Sequence, residues 1–212
     1  MRPFADLTGQ AALVTGAGSA AGPGFACARL LGRLGARVAI SSTTERIHDR
    51  VAELLALGIY AFGVPADLTR SEQATALVAA MAERRCRVDM LVNNAGMTSV
   101  SRPAEAAPSR GSRTPLSAKR CRETWPPRSS CALALELAPR GIRGNAVCPA
   151  DVETPLLRYQ AETFGGGDPE GYRRRLRENY PQGARARFLR PEEAAGITGA
   201  NVSIDFGLSA GI

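Results

Sequence analysis

A doubly wound α/β chain, with a parallel sheet covered by helices on both faces, is the fold this sequence predicts. Three observations predict it. Short apolar runs alternate with amphipathic, helix-length segments between residues 11 and 92, the pattern of a parallel sheet with right-handed crossovers. A glycine-rich turn at residues 15–24 joins the first run to the first helix. The composition is that of an ordinary globule, 44% hydrophobic and 22% charged over 212 residues. That is enough chain for a single domain over residues 1–212 with a substantial core.

The elements follow in order. Residues 11–15 are a first strand, and residues 25–34 carry apolar side chains at helical spacing (Phe25, Ala28, Leu31) before stopping at Gly35. Residues 37–40 are a second strand, 45–57 a helix closed by Gly58, and 59–64 a third strand. Ser71 is the expected N-cap of a helix running to about residue 85, and residues 88–92 are a fourth strand. Glycines in the first turn let the backbone bend sharply and approach a phosphate at the positive end of the next helix. Ser41, Ser42, Thr43 and Thr44 follow the second strand, where they can contact a ligand or cap the next helix.

Composition also excludes several classes. Wholesale disorder, a collagen-like repeat and a disulfide-rich secreted chain do not fit it, and the apolar runs are too short and interrupted to span a bilayer. Residues 1–6 lack the continuous apolar stretch of a secretory leader, so a cytoplasmic location is expected. Five cysteines (Cys27, Cys86, Cys121, Cys131, Cys148) form no CxxC pair, so reduced thiols and no metal site are expected. Of the net charge of +7, residues 97–131 carry +5. That window is Arg/Pro/Ser-rich, with five prolines and few large apolar residues at no regular period. It is expected to be an irregular segment unable to offset its ordering entropy. One aromatic, Trp125, and no recognisable binding module set nucleic acid aside as a partner.

Several motifs stand in a telling order: Thr15, Gly16, Gly22 and Gly24 in the first turn, Ala66-Asp67-Leu68 after the third strand, and Asn93-Asn94-Ala95-Gly96 after the fourth. Asn145-Ala-Val-Cys-Pro149, Val152-Glu-Thr-Pro-Leu156 and Thr198-Gly-Ala-Asn-Val-Ser-Ile-Asp205 complete the series. In these the chain resembles the short-chain dehydrogenase/reductase family over nearly its whole length. The resemblance implies a Rossmann-type sheet and hydride transfer between NAD(P) and a small alcohol or carbonyl. It places Gly16, Gly22 and Gly24 on the pyrophosphate, Asp67 and Leu68 on the adenine, and Asn94, Ala95 and Gly96 behind the adenosine ribose. Pro149, Val152 and Thr154 would flank the nicotinamide. With Ser41 and Ser42 at the end of the second strand, Arg46 nearby and no acidic residue there, NADP is the expected cofactor in preference to NAD.

The departures are as informative. The first turn is two residues longer than the common family spacing, and Pro23 supplies no N–H where the family uses one on phosphate. Weakened dinucleotide binding is expected. The family's chemistry uses a Tyr followed four residues later by a Lys. Val64, Thr163, Leu176 and Ala184 stand four residues after the four tyrosines, and Pro115 stands four before the single lysine, Lys119. No catalytic residue is therefore assigned. The resemblance further implies that the fifth strand and part of its flanking helices are missing around residues 97–131, with a second shortening near residues 194–196. Family members pair through helices near that strand, which puts a family-type homo-oligomer in doubt. Three readings stay open: a catalytically impaired oxidoreductase, a catalytically silent dinucleotide-binding module, and a damaged or frame-shifted product with no cofactor function. Arg173, Arg174, Arg175 and Arg177 are expected to be a solvated helix face, and His48 to be structural or idle.

Overall fold

The computed structural model describes residues 6–84, 87–96, 135–149, 154–178 and 201–204. They fall into two compact units, one within residues 1–98 and one within 99–212.

In the first unit β1 (Ala11–Val14), β2 (Arg37–Ser42), β3 (Ala61–Pro65) and β4 (Met90–Val92) form a parallel sheet in the order β3-β2-β1-β4. The helices α1 (Pro23–Arg33), α2 (Ile47–Ala56) and α3 (Ser71–Glu83) connect successive strands. β1 is buried along its whole length, which explains why it reads as a continuous apolar run rather than an alternating one. Strand residues divide by parity between two cores. Val14, Val38 and Ile40 meet Phe25 and Ala28 of α1 and Ile47 and Leu54 of α2. Ala11, Leu13 and Ala39 meet Leu77 and Met81 of α3 on the opposite face. Asp89 fixes where β4 starts: its Oδ2 accepts the Ala11 N–H at 2.9 Å while its own N–H donates to the Ala11 carbonyl at 2.9 Å.

The second unit contains a 3-10 turn (Ala138–Arg140), β5 (Ala146–Pro149), α4 (Pro155–Phe164), α5 (Pro169–Glu178) and β6 (Asn201–Ile204). β5 and β6 pair in parallel, with Val147 opposite Val202 and Pro149 opposite Ile204. Among the described residues no helix is long and apolar enough to cross a membrane.

Several sequence-based boundaries shift, each for a local reason. α1 begins at Pro23 rather than Phe25, because proline fits the first helical position sterically. β2 runs on through Ser41 and Ser42, where pairing with Val64 and Pro65 continues the ladder. The capping role considered for residues 41–44 is thereby overturned: α2 starts at Ile47 behind Arg46 and has no side-chain cap bond. Ser71 is the first helical residue of α3 and not its cap; Arg70 takes that place, again without a side-chain bond. α5 carries Arg173, Arg174 and Arg175: Arg174 and Arg175 are exposed as expected of a solvated face, whereas Arg173 is half-buried and pairs with Glu170, and the Arg177 side chain lies outside the described residues. His48 is an exposed partner of Glu45, 3.0 Å from its Oε2. The expected loss of a fifth strand falls on residues that lie outside the described ones, as does the shortening near residue 195.

The first core gives a direct test. Leu54 is completely buried between α2 and the sheet, so Leu54→Ala should lower unfolding stability by about 3 kcal/mol in urea titrations. A loss below about 1 kcal/mol would contradict the packing described.

Candidate functional site

The carboxyl ends of β1, β2, β3 and β4 converge on one edge of the sheet, where an open α/β sheet places its ligand crevice. Thr15, directly after β1, ties that edge together. It is only 3% exposed, and its hydroxyl uses its full bonding capacity of one donor and two acceptor positions. The hydroxyl donates to the Val92 carbonyl at 3.3 Å and accepts the Asn94 and Ala95 N–H groups at 3.1 and 3.0 Å. The Asn94 carboxamide answers with both of its N–H bonds, to the Thr15 and Gly16 carbonyls, each at 3.1 Å. Neither residue has a rotamer left to choose.

This lock requires side-chain-free backbone around it. Gly16 has φ +68°, and a Cβ there would stand 2.7 Å from the Ala95 Cα. A Cβ on Gly24 would collide with the Asn94 Nδ2 and the Gly16 carbonyl. The sequence thus places glycine where the turn and the start of α1 press on Asn94. The turn makes an exposed bend at residues 19–21: the Gly22 N–H donates to the Ser19 carbonyl at 3.0 Å, with Ala20 and Ala21 at the corner. Gly22, in extended conformation, caps α1. Pro23 has no N–H, so the Gly24 and Phe25 amides are the first helical donors without an intrahelical acceptor. No acidic residue stands in that first turn to offset its positive dipole.

The neighbouring strand ends complete the edge. The Ser41 carbonyl accepts the Ala17 N–H at 2.9 Å, while its side chain is 1% exposed and its Oγ has no partner among the described residues. Ser41 therefore supports the turn through its backbone, and its hydroxyl points away from the surface. Ser42 is half-buried, and its Oγ donates to the Thr44 carbonyl at 2.9 Å. After β3, the Asp67 Oδ1 accepts from the Thr69 hydroxyl at 2.7 Å and the Thr69 N–H at 3.0 Å. These two bonds, the hydroxyl's the larger, hold the Asp67 carboxyl below its ordinary 3.8, because both favour the ionised form. Gln73 of α3 accepts the Asp67 N–H at 2.7 Å and fixes that corner. Leu68 is half-buried against the second core, and Gly96 is exposed beyond Ala95.

In the second unit Pro149 closes β5 opposite Ile204. Thr154 caps α4, its Oγ1 accepting the Leu157 N–H at 3.4 Å. Val152 lies outside the described residues. The first unit thus brings Thr15, Gly16, Gly24, Asn94 and Ala95 together directly, with Ser42 and Asp67 on the adjoining strand ends. Two residues of this edge escaped the sequence reading. The Asp67-x-Thr69 spacing was a usable signal for a side-chain turn; Gly18, packed on Ser42, carried none beyond its being glycine.

Comparison with known proteins agrees with this architecture. The short chain dehydrogenase family pattern matches residues 10–113, and that of enoyl-(acyl carrier protein) reductase matches residues 128–209. A ketoacyl reductase assigned to the monensin polyketide synthase of Streptomyces virginiae is 32% identical, covering 91% of this chain and 89% of its own. That alignment runs to 240 positions, more than the 212 residues of the chain. Among solved structures, a single-site variant of actinorhodin polyketide ketoreductase with NADPH superposes at a TM-score of 0.71 and 28% identity, over 94% of this chain and 97% of the other. L-Sorbose reductase from Gluconobacter frateurii superposes at 0.80 and 22% identity, over 98% of this chain and 99% of its own.

Two substitutions test the edge. Asn94→Ala strands two carbonyls and should cost about 2 kcal/mol of unfolding stability. Asn94→Asp should lose at least as much, because a carboxylate cannot donate to either carbonyl; a neutral result for both would contradict the lock. Thr69→Val removes the hydroxyl donor, so the Asp67 carboxyl should titrate closer to 3.8 by carboxyl-carbon NMR. A carboxyl whose folded pKa is depressed adds stability above its unfolded value and loses it as pH falls through the folded one. The stability gap between wild type and Thr69→Val should therefore close towards acid pH.

Proposed function

Because the chain belongs to the short-chain dehydrogenase/reductase family, and is by that membership an NAD(P)-dependent oxidoreductase, we propose that it binds NADP and acts at an impaired rate on a small alcohol or carbonyl substrate. The observation that carries the binding half is the glycine turn fixed by close packing and hydrogen bonds to Asn94. Glycine at 16 and 24 lets the turn and the start of α1 pack on Asn94 and Ala95, and the first amides of α1, which have no intrahelical acceptor, suit a phosphate. In this reading Thr15, Gly16, Gly22 and Gly24 shape the pyrophosphate side. Asp67, kept ionised by Thr69, accepts from the adenine amino group, with Leu68 beneath the ring. Asn94, Ala95 and Gly96 back the adenosine ribose, while Pro149, Val152 and Thr154 flank the nicotinamide. When bound, the cofactor supplies or accepts the hydride.

NADP is favoured over NAD because β2 ends at Ser42, where a carboxylate would repel a 2′-phosphate, and Arg46 follows with its Nε on Thr44 while the intervening Glu45 lies against His48. The ketoreductase of 28% identity holds NADPH. Impairment is supported by the sequence: no tyrosine is followed four residues later by lysine, the spacing that would set an ammonium beside the phenol and depress its pKa. The alignment longer than the chain is consistent with residues missing relative to that relative. The same observation favours, as a second reading, a module that binds the dinucleotide without turning it over.

Fluorescence titration with NADPH and NADH tests binding, and a panel of ketones with NADPH tests turnover. Saturable NADPH binding with turnover far below that of family enzymes is expected; no binding overturns the proposal, and ordinary turnover overturns the impairment. Pro23→Ile returns an amide donor to the α1 terminus and should tighten NADPH about tenfold, the scale of a hydrogen bond of 1–3 kcal/mol. An unchanged affinity would remove Pro23 from the account.

A further inference from the structure

We infer that Gly18 is a positioning residue for the 2′-phosphate end of the cofactor site, acting through Ser42 and Thr44 on Arg46; this rests on the NADP reading above. Gly18 lies in the turn after β1 and is pressed against the last residue of β2. A Cβ built on it would stand 2.7 Å from the Ser42 Cβ and 2.9 Å from the Ser42 Oγ. Neither partner can retreat as a body. The turn is fastened to β2 by the Ala17 N–H on the Ser41 carbonyl at 2.9 Å, and Ser42 is fastened to the end of β3 by the Ala66 N–H on its carbonyl at 2.8 Å. What must give way is the Ser42 side chain as a whole, its Cβ and its hydroxyl displaced together.

That hydroxyl heads a chain of contacts. The Ser42 Oγ donates to the Thr44 carbonyl at 2.9 Å and accepts the Thr44 N–H at 3.4 Å. The Thr44 Oγ1 in turn accepts from the Arg46 Nε at 3.3 Å. Arg46 precedes the first turn of α2 and is exposed, as is Thr44. Only one of its five N–H donors is engaged by Thr44, which orients the planar fork and leaves the Nη hydrogens to offer a phosphate. A 2′-phosphate needs a guanidinium held in place, whereas a 2′-hydroxyl does not. The absence of a side chain at residue 18 therefore acts selectively on the phosphorylated cofactor.

Fluorescence titrations of the full chain with NADPH and NADH read this directly. Gly18→Ala should weaken NADPH at least fivefold and NADH less than twofold, with the far-UV circular dichroism spectrum preserved. Thr44→Val breaks the same chain at an exposed position and should give the same selective loss, which keeps the test intact should Gly18→Ala fold poorly. Gly18→Ala should add little to the NADPH loss already produced by Arg46→Ala. Equal losses for both cofactors, no loss in either variant, or losses that add fully with Arg46→Ala overturn the inference while leaving NADP binding in place. Failure of the wild type to bind NADPH overturns both.

Discussion

The mutual satisfaction of Thr15 and Asn94 is the constraint on which the rest of the first unit depends. One hydroxyl and one carboxamide, 79 residues apart in sequence, close five hydrogen bonds across the ends of β1 and β4. Each bond is of ordinary strength, but removing any one partner leaves others part-buried and unpaired, and that is where the energetic weight lies. The lock fixes where the chain leaves β1. It therefore sets the path of the turn, the start of α1, and the closeness of backbone that only glycine at 16 and 24 allows.

From that fixed edge the site follows outward by short-range contacts. The turn reaches β2 through Ala17 and Gly18, β2 reaches the β3 corner through Ser42 and Ala66, and the corner is finished by Asp67, Thr69 and Gln73. The two cores beneath serve as a platform: alternate residues of β1 and β2 divide between α1 with α2 on one side and α3 on the other. The glycine turn exposes its corner at Ala20 and Ala21, and Pro23 is tolerated because its missing donor stands at a helix start.

Much of this is legible in the sequence. The order of strands and helices through Val92 was readable because burial on both faces of a parallel sheet forces continuous apolar runs, and amphipathic helices force a different period. The glycines and Asn94 were visible as motifs. The ends of elements were less so: Ser41 and Ser42 belong to β2 although their chemistry is that of caps and turns, since ladder pairing with Val64 and Pro65 outweighs local preference. Ser71 likewise looked like a cap and lies one residue inside its helix.

The sequence by itself determined the fold class, the family and the absence of any Tyr-x-x-x-Lys, because periodicity, motif order and residue identity are properties of the chain alone. Only the tertiary structure decided what each conspicuous residue does. It turned the Ser41 hydroxyl into the interior and left Ser42 at the turn. It gave Thr69 a hold on Asp67 and made Gly18 a close neighbour of a strand 24 residues later. Those roles come from distances between segments far apart in the chain, and packing sets such distances where local pattern cannot.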